Sequence, residues 1–307
     1  MRLVFAGTPA VALPTLRQLA AQHEVAAVIT RPDAPLGRKR VMTPSPVAVA
    51  AQELGIPIIK AARLDEEVTD RIAKLKVDLG VIVAYGGLVR ERLLQTPTRG
   101  WINLHFSLLP KWRGAAPVQR ALIEGDAELG ASVFQLVAAL DAGDVFAAEV
   151  FAVPEDATAD VALASLAIDG AELTSRVVSE IENGTARAVS QTGEESYAAK
   201  LSHVDGRLNW SASADAVFAR YRGVTSEPGA HTVVAGTGLK VLEMRRATSA
   251  EDEGDTLNAG VFRALPGGVL VGTGSVPLVL LRVQPAGKGA MAAADWLRGQ
   301  RADVRAE

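Results

Sequence analysis

The 307-residue chain contains no cysteine, which excludes disulfides, thiolate nucleophiles and cysteine-bound metals at once. Its four histidines, His23, His105, His203 and His231, are too scattered to spell a zinc motif, and no metal site is expected. Neither sign of charge prevails: 32 Lys and Arg against 35 Asp and Glu leave −3 at pH 7. Any nucleic-acid contact must therefore come from a local patch. No apolar stretch reaches the roughly 20 residues of a membrane helix free of charges or turn signals. The first residues, Met1 to Gly7, enter a strand pattern directly and lack the apolar run of a signal peptide. A cytoplasmic protein is expected. The turn after that first strand carries one glycine, not the G-x-G-x-x-G fingerprint, so a nicotinamide or flavin enzyme finds no support. No serine occupies a G-x-S-x-G elbow, so nothing points to an acyl-enzyme.

What is present reads as an α/β chain. Hydrophobic residues make up 49% and charged residues 22%, the balance of a globular protein large enough for one large or two ordinary domains. Residues 2–6 form an apolar strand, a helix follows to about Ala21 with Pro14 near its first turn, and residues 24–30 form a second strand. That spacing is a parallel βαβ unit. Residues 31–46 carry four prolines and a glycine and are expected to form no regular element. Arg38, Lys39 and Arg40 put three positive charges there. They read either as a solvated charge run or as a phosphate-contacting finger. Helix, short strand and helix follow to about Lys76, then a fully apolar strand from Asp78 to Tyr85. Further strands are expected at 101–106, 130–139 and 145–153, with helices at 115–125 and from about Thr158 to Glu182. The expected fold is a doubly wound, mostly parallel sheet occupying residues 1–185. Residues 186–204 read as a linker. From 205 to 307, short strands between turn signals suggest a small OB-like β-barrel, with a final helix near Met291.

The most informative stretch is the strand that begins at Trp101. Asn103 and His105 interrupt its apolar run two residues apart, so both face the same side. Two polar side chains on one face of a buried strand need partners. After them the chain breaks at Pro110 into a loop bearing Lys111, Arg113 and Gly114, the way an α/β enzyme presents chemistry at a strand end. Asn is a neutral donor suited to an oxyanion, and His a proton carrier near neutral pH. A carboxylate such as Asp141, in the turn Leu140-Asp141-Ala142-Gly143-Asp144, would orient an imidazolium. Taken alone, His105 could equally be a hydrogen-bonded core residue and Asp141 a turn-former, and spacing does not show that the two meet. Without a nucleophile, a donor, a proton carrier and a carboxylate suit direct acyl transfer to an amine supplied by substrate.

Several segments carry a resemblance across nearly the whole chain. They are Phe5-Ala6-Gly7-Thr8-Pro9, Pro35-Leu36-Gly37-Arg38, Pro44-Ser45-Pro46-Val47, Val83-Ala84-Tyr85-Gly86, Ile102-Asn103-Leu104-His105, Ser107-Leu108-Leu109-Pro110, Trp112-Arg113-Gly114-Ala115-Ala116-Pro117, Leu140 to Asp144, and Gln284-Pro285-Ala286-Gly287-Lys288. By these the chain resembles the folate-dependent methionyl-tRNA formyltransferase family. The resemblance implies a formyltransferase fold with a C-terminal barrel, and formyl transfer from 10-formyltetrahydrofolate to initiator methionyl-tRNA. It implies Asn103, His105 and Asp141 as the catalytic set, and Ser107, Leu108, Leu109 and Pro110 as the folate segment. Arg38, Lys39 and Arg40 become contacts to the tRNA acceptor end, with Lys288 as the barrel's contact; a monomer without a metal is implied. Two departures stand out. Phe106 replaces a common Gly, and Glu227-Pro228-Gly229-Ala230 stands where a Trp often leads. The first should leave catalysis intact, because Phe106 points away from the Asn103/His105 face; the second concerns the barrel's contacts.

Overall fold

The computed structural model describes residues 1–37, 39–251, 257–300 and 304–307. The chain divides into two compact units: residues 1–117, 128–153 and 163–198 in one, residues 118–127, 154–162 and 199–307 in the other.

The first unit is built on a seven-stranded sheet. In spatial order its strands are Val145–Phe151, Leu129–Gln135, Trp101–His105, Leu79–Val83, Arg2–Gly7, Glu24–Thr30 and Ile58–Lys60. The last five run parallel, and Leu129–Gln135 and Val145–Phe151 are antiparallel additions at one edge. Every parallel strand thus ends at the same edge of the sheet, where loops can converge. Pro14 sits in the first turn of the helix Leu13–Gln22, where its missing N–H costs no hydrogen bond. Helices Pro46–Glu53 and Glu66–Leu75 begin on Ser45 and Asp65, whose side chains accept from the N–H of Ala48 and Val68.

The site strand, Trp101–His105, is fixed from both sides. Trp101 is fully buried, its indole N–H donates to the Leu93 carbonyl, and its ring lies on Gly80, where a Cβ would come within 2.2 Å of it. On the opposite face from Asn103 and His105, Leu104 packs against Gly170 of the long helix Ala159–Asn183, where a Cβ would meet the leucine at 2.9 Å. Phe106 is buried.

In the first unit, two segments differ from expectation. Residues 31–46 do form a regular element: Ala34–Leu36 and Val41–Thr43 pair as an antiparallel hairpin, with Gly37 and Arg40 at positive φ in the turn. A Gly at a left-handed turn position is what such a hairpin requires. The prolines fit because the ribbon is exposed and its edges need no further partner. The base of the hairpin is anchored by Thr30 Oγ1 against Ser45 Oγ at 2.7 Å, by Lys60 on Asp33 at 2.6 Å, and by Arg31, which donates to the carbonyls of Ala62 and Gly86. Within the expected linker, residues 189–198 are tied to the first unit. Val189 bridges Val145, and Tyr197–Ala198 pairs in parallel with Arg113–Gly114.

In the second unit, strands His231–Val234, Thr237–Arg246, Leu278–Pro285, Gly268–Val271 and Phe262–Leu265 form an antiparallel sheet in that order, with Met291–Ala292 pairing onto Leu278–Pro285. The ends are joined by the last residues. Ala306 bridges Val234 and Arg305 bridges Val261, which draws the two ends of the sheet together in the manner of a small barrel. No element was expected between residues 206 and 230, yet a helix, Ala214–Val224, forms there. Its signals are the Ser213 cap and buried Ala214, Val217, Phe218, Tyr221 and Val224 at helical spacing. These residues join Trp210, Leu239, Val241, Val269, Leu280 and Trp296 in the barrel core.

Candidate active site

His105 ends its strand deep in the first unit, only 6% exposed. Its Nε2 lies 2.8 Å from the Trp112 carbonyl oxygen. A carbonyl can only accept, so Nε2 carries the proton and donates, which leaves Nδ1 as the lone-pair nitrogen of the neutral ring. Nδ1 faces Asp141 Oδ2 at 3.8 Å, beyond direct hydrogen bonding but well inside ion-pair range. Burial pushes the imidazole below its ordinary value of 6.5; Asp141 and the Trp112 carbonyl pull the other way but are outweighed. His105 is therefore neutral at pH 7, with a carboxylate ready to favour the imidazolium.

Asp141 is nearly as buried as His105 and stands at φ +46, in the left-handed region that Asp tolerates better than most residues. Oδ2 accepts from the Gly114 N–H at 2.8 Å. The turn is pressed against strand Leu129–Gln135: a Cβ on Gly143 would sit 1.7 Å from the Gln135 carbonyl oxygen, and the Gln135 N–H donates to Asp144. Asn103, half-buried and two residues before His105 on the same face, makes no side-chain hydrogen bond to protein among the described residues. A strand-end amide with free donors beside a proton carrier is an oxyanion site in waiting.

The segment Ser107 to Pro110 follows at once. Ser132, fully buried and opposite His105 in the sheet, donates to the Ser107 carbonyl at 2.7 Å and accepts from the Leu109 N–H at 3.1 Å. The Ser107 hydroxyl closes the turn by donating to the Lys111 carbonyl at 2.6 Å. Leu108 covers Gly130. The strand end and its loop are thus held by the protein's own hydrogen bonds.

The structure brings His105 and Asp141 within 3.8 Å, with Asn103 on the same strand face as His105, and places residues 107–110 directly beyond the strand. Lys39 and Arg40 are exposed in the hairpin turn; Arg38 lies outside the described residues. Lys288 belongs to the second unit, on an exposed turn where Gln284 donates to its carbonyl. Sequence reasoning missed the Trp112 carbonyl, the Gly114 N–H, Ser132 and Gln191. The first two lie in a motif it quoted, but as backbone groups, which carry no side-chain signature. Gln191 sits in what read as a linker and gave no signal. Among the described residues no group of three or more His, Asp or Glu could hold a metal ion, and no helix is long and apolar enough to cross a membrane.

Comparison with known proteins gives the class first. Residues 1–178 match the family model described as formyl transferase, and residues 200–301 match the formyl transferase C-terminal domain. The fold is shared with an N-formyltransferase from Helicobacter canadensis solved with folinic acid and dTDP-3-aminofucose, at TM-score 0.69 and 16% identity over 91% of this chain and 98% of that one. HypX from Aquifex aeolicus superposes with TM-score 0.70 at 16% identity, over 99% of this chain and 49% of its own. The narrower assignment comes from curated relatives. The chain is 57% identical to the methionyl-tRNA formyltransferase of Clavibacter sepedonicus and 56% identical to that of Leifsonia xyli subsp. xyli, over 97% of each chain in both cases. The chain belongs to the methionyl-tRNA formyltransferase family. It is an enzyme of formyl transfer.

Proposed function

We propose that the enzyme takes the formyl group of 10-formyltetrahydrofolate and places it on the α-amine of initiator methionyl-tRNA, with Asn103, His105 and Asp141 as its catalytic residues. The observation that carries this reading is the unengaged Asn103 amide on the same strand face as the buried His105–Asp141 pair. The neutral amine attacks the formyl carbon. The carbonyl oxygen takes up charge, and Asn103 donates to it. The proton released from the amine passes to the lone pair of His105 Nδ1, and the imidazolium that forms is held by the Asp141 carboxylate 3.8 Å away. The proton then moves to N10 of the folate as the C–N10 bond breaks, which balances the transfer without a covalent enzyme intermediate. Residues 107–110, held by Ser132, form a wall of the folate site. Arg38, Lys39 and Arg40 contact the tRNA acceptor end, and Lys288 contacts tRNA from the barrel. Residues 1–185 act as the catalytic domain and 205–307 as a tRNA-contacting domain, in a cytoplasmic monomer.

The test is a formylation assay with 10-formyltetrahydrofolate and three acceptors: initiator methionyl-tRNA, elongator methionyl-tRNA and a dTDP-amino sugar. Formylation of the initiator form above both others is expected. Turnover of the sugar nucleotide without tRNA formylation would overturn the acceptor assignment.

A further inference from the structure

Gln191 lies just beyond the long helix, in the segment that runs along the Asp141 turn. Its neighbours confirm the contact: Ser190 donates to Asp144 Oδ1 at 2.8 Å, and Val189 bridges Val145. The side-chain amide of Gln191 is fully engaged. Nε2 donates to the carbonyls of Asp141 and Gly143, both at 2.8 Å, and Oε1 accepts from Arg113 Nη2 at 2.7 Å and Nε at 3.2 Å. Those are both donors and both lone pairs the group possesses. Arg113 is only 6% exposed, and its remaining nitrogen, Nη1, pairs with Glu195 at 2.7 Å. The next residue, Gly114, supplies the N–H that holds Asp141 Oδ2. One amide therefore clamps the backbone of Asp141 to the arginine whose neighbour grips the Asp141 carboxylate. Asp141 stands in the left-handed region, which Asp adopts more readily than most residues, and these contacts hold it there.

We propose that Gln191 is a positioning residue for formyl transfer, fastening the Asp141 turn to Arg113–Gly114 so that the carboxylate stays in front of His105. The inference rests on the role of Asp141 proposed above. Gln191 acts through Asp141 and touches neither substrate.

The test compares the wild type with Gln191→Met, Gln191→Glu, Asp141→Asn and the double variant Gln191→Met/Asp141→Asn. The readouts are kcat, KM for each substrate and thermal midpoint. Gln191→Met, close in volume and without the amide, should lower kcat about ten- to a hundredfold, the range known for partners that orient metal-ligating side chains, taken here by analogy. KM should change little. Gln191→Glu keeps an acceptor for Arg113 but sets a carboxylate oxygen against two carbonyls, so it should lose kcat to a similar degree. Near-normal kcat in Gln191→Glu would show that only the Arg113 contact matters and would overturn the proposal. In the Asp141→Asn background, Gln191→Met should cost less than threefold further. An equal loss in both backgrounds would mean that Gln191 acts independently of Asp141 and would overturn the proposal while leaving Asp141 its role. Normal kcat in Asp141→Asn would sink both readings together.

Discussion

At the scale of single residues, the proposed chemistry depends on which nitrogen of His105 carries its proton. The Trp112 carbonyl settles that: Nε2 donates, and Nδ1 is left toward Asp141. Asn103 is the one member of the set whose polar group is not already in use by the protein. Losing one oxyanion donor typically costs about 2.7–4 kcal/mol, or about 10² to 10³ in rate. Asn103→Ala should lower kcat by about that factor and leave tRNA affinity in a binding assay unchanged, and near-normal turnover would remove Asn103 from the mechanism. His105 also predicts a pH dependence of stability. Its folded-state value lies below 6.5, so the unfolded chain binds a proton that the folded one refuses. That cost is absent above about pH 6.5 and grows as the pH falls through the window down to the folded-state value. His23, also depressed by burial, acts in the same direction. His105→Gln should therefore flatten, without abolishing, the fall of the urea midpoint between pH 7 and pH 5. An unchanged slope would mean that His105 does not resist protonation.

At the scale of elements, a turn and a hairpin carry separate proposed roles. The turn at 141–144 is set by a close approach of backbones at Gly143. Gly143→Ala must push the turn off the Gln135 carbonyl, and a loss of kcat larger than any change in KM is expected. Equal kcat would show that the turn can shift without moving the carboxylate. The proposed role of the hairpin Ala34–Leu36/Val41–Thr43 rests on charge. Lys39 and Arg40 form no ion pair among the described residues, so they are free to release counterions from a polyanion. Replacing both by Ala should reduce the slope of log KM for tRNA against log salt by about two. The same slope in the variant would exclude phosphate contact. The hairpin itself is hidden in the sequence because four prolines and a glycine between residues 31 and 46 argue against a regular element. Exposed ribbons lack the buried face that makes strand alternation visible.

At the scale of the molecule, Arg305, Ala306 and Glu307 link the two ends of the second unit's sheet. Ala306 N–H donates to the Gly260 carbonyl, and Glu307 N–H donates to that of Val233. Gly260 is at φ +76 and a Cβ there would lie 2.3 Å from the Ala306 carbonyl oxygen. Gly260→Val should open this seam, read as lost hydrogen-exchange protection at Ala306 and Glu307 with the core strand Leu278–Pro285 still protected. Retained protection at both would show that the seam tolerates a side chain.

Much of this protein could be read from local pattern. Alternation and apolar runs gave the parallel strands, helical spacing gave most helices, and the turn signals gave the barrel strands, because each depends on residues within a few positions of one another. The Asn103/His105 face was visible for the same reason. The tertiary structure alone decided what those residues meet. The Trp112 carbonyl reaches the site from the loop after the strand, the Gly114 N–H and the Gln191 amide from residues distant in sequence from Asp141, and a backbone group has no residue type to announce it. That His105 faces Asp141, and with which nitrogen, follows from where the 141–144 turn is held, and it is held by contacts far apart in sequence.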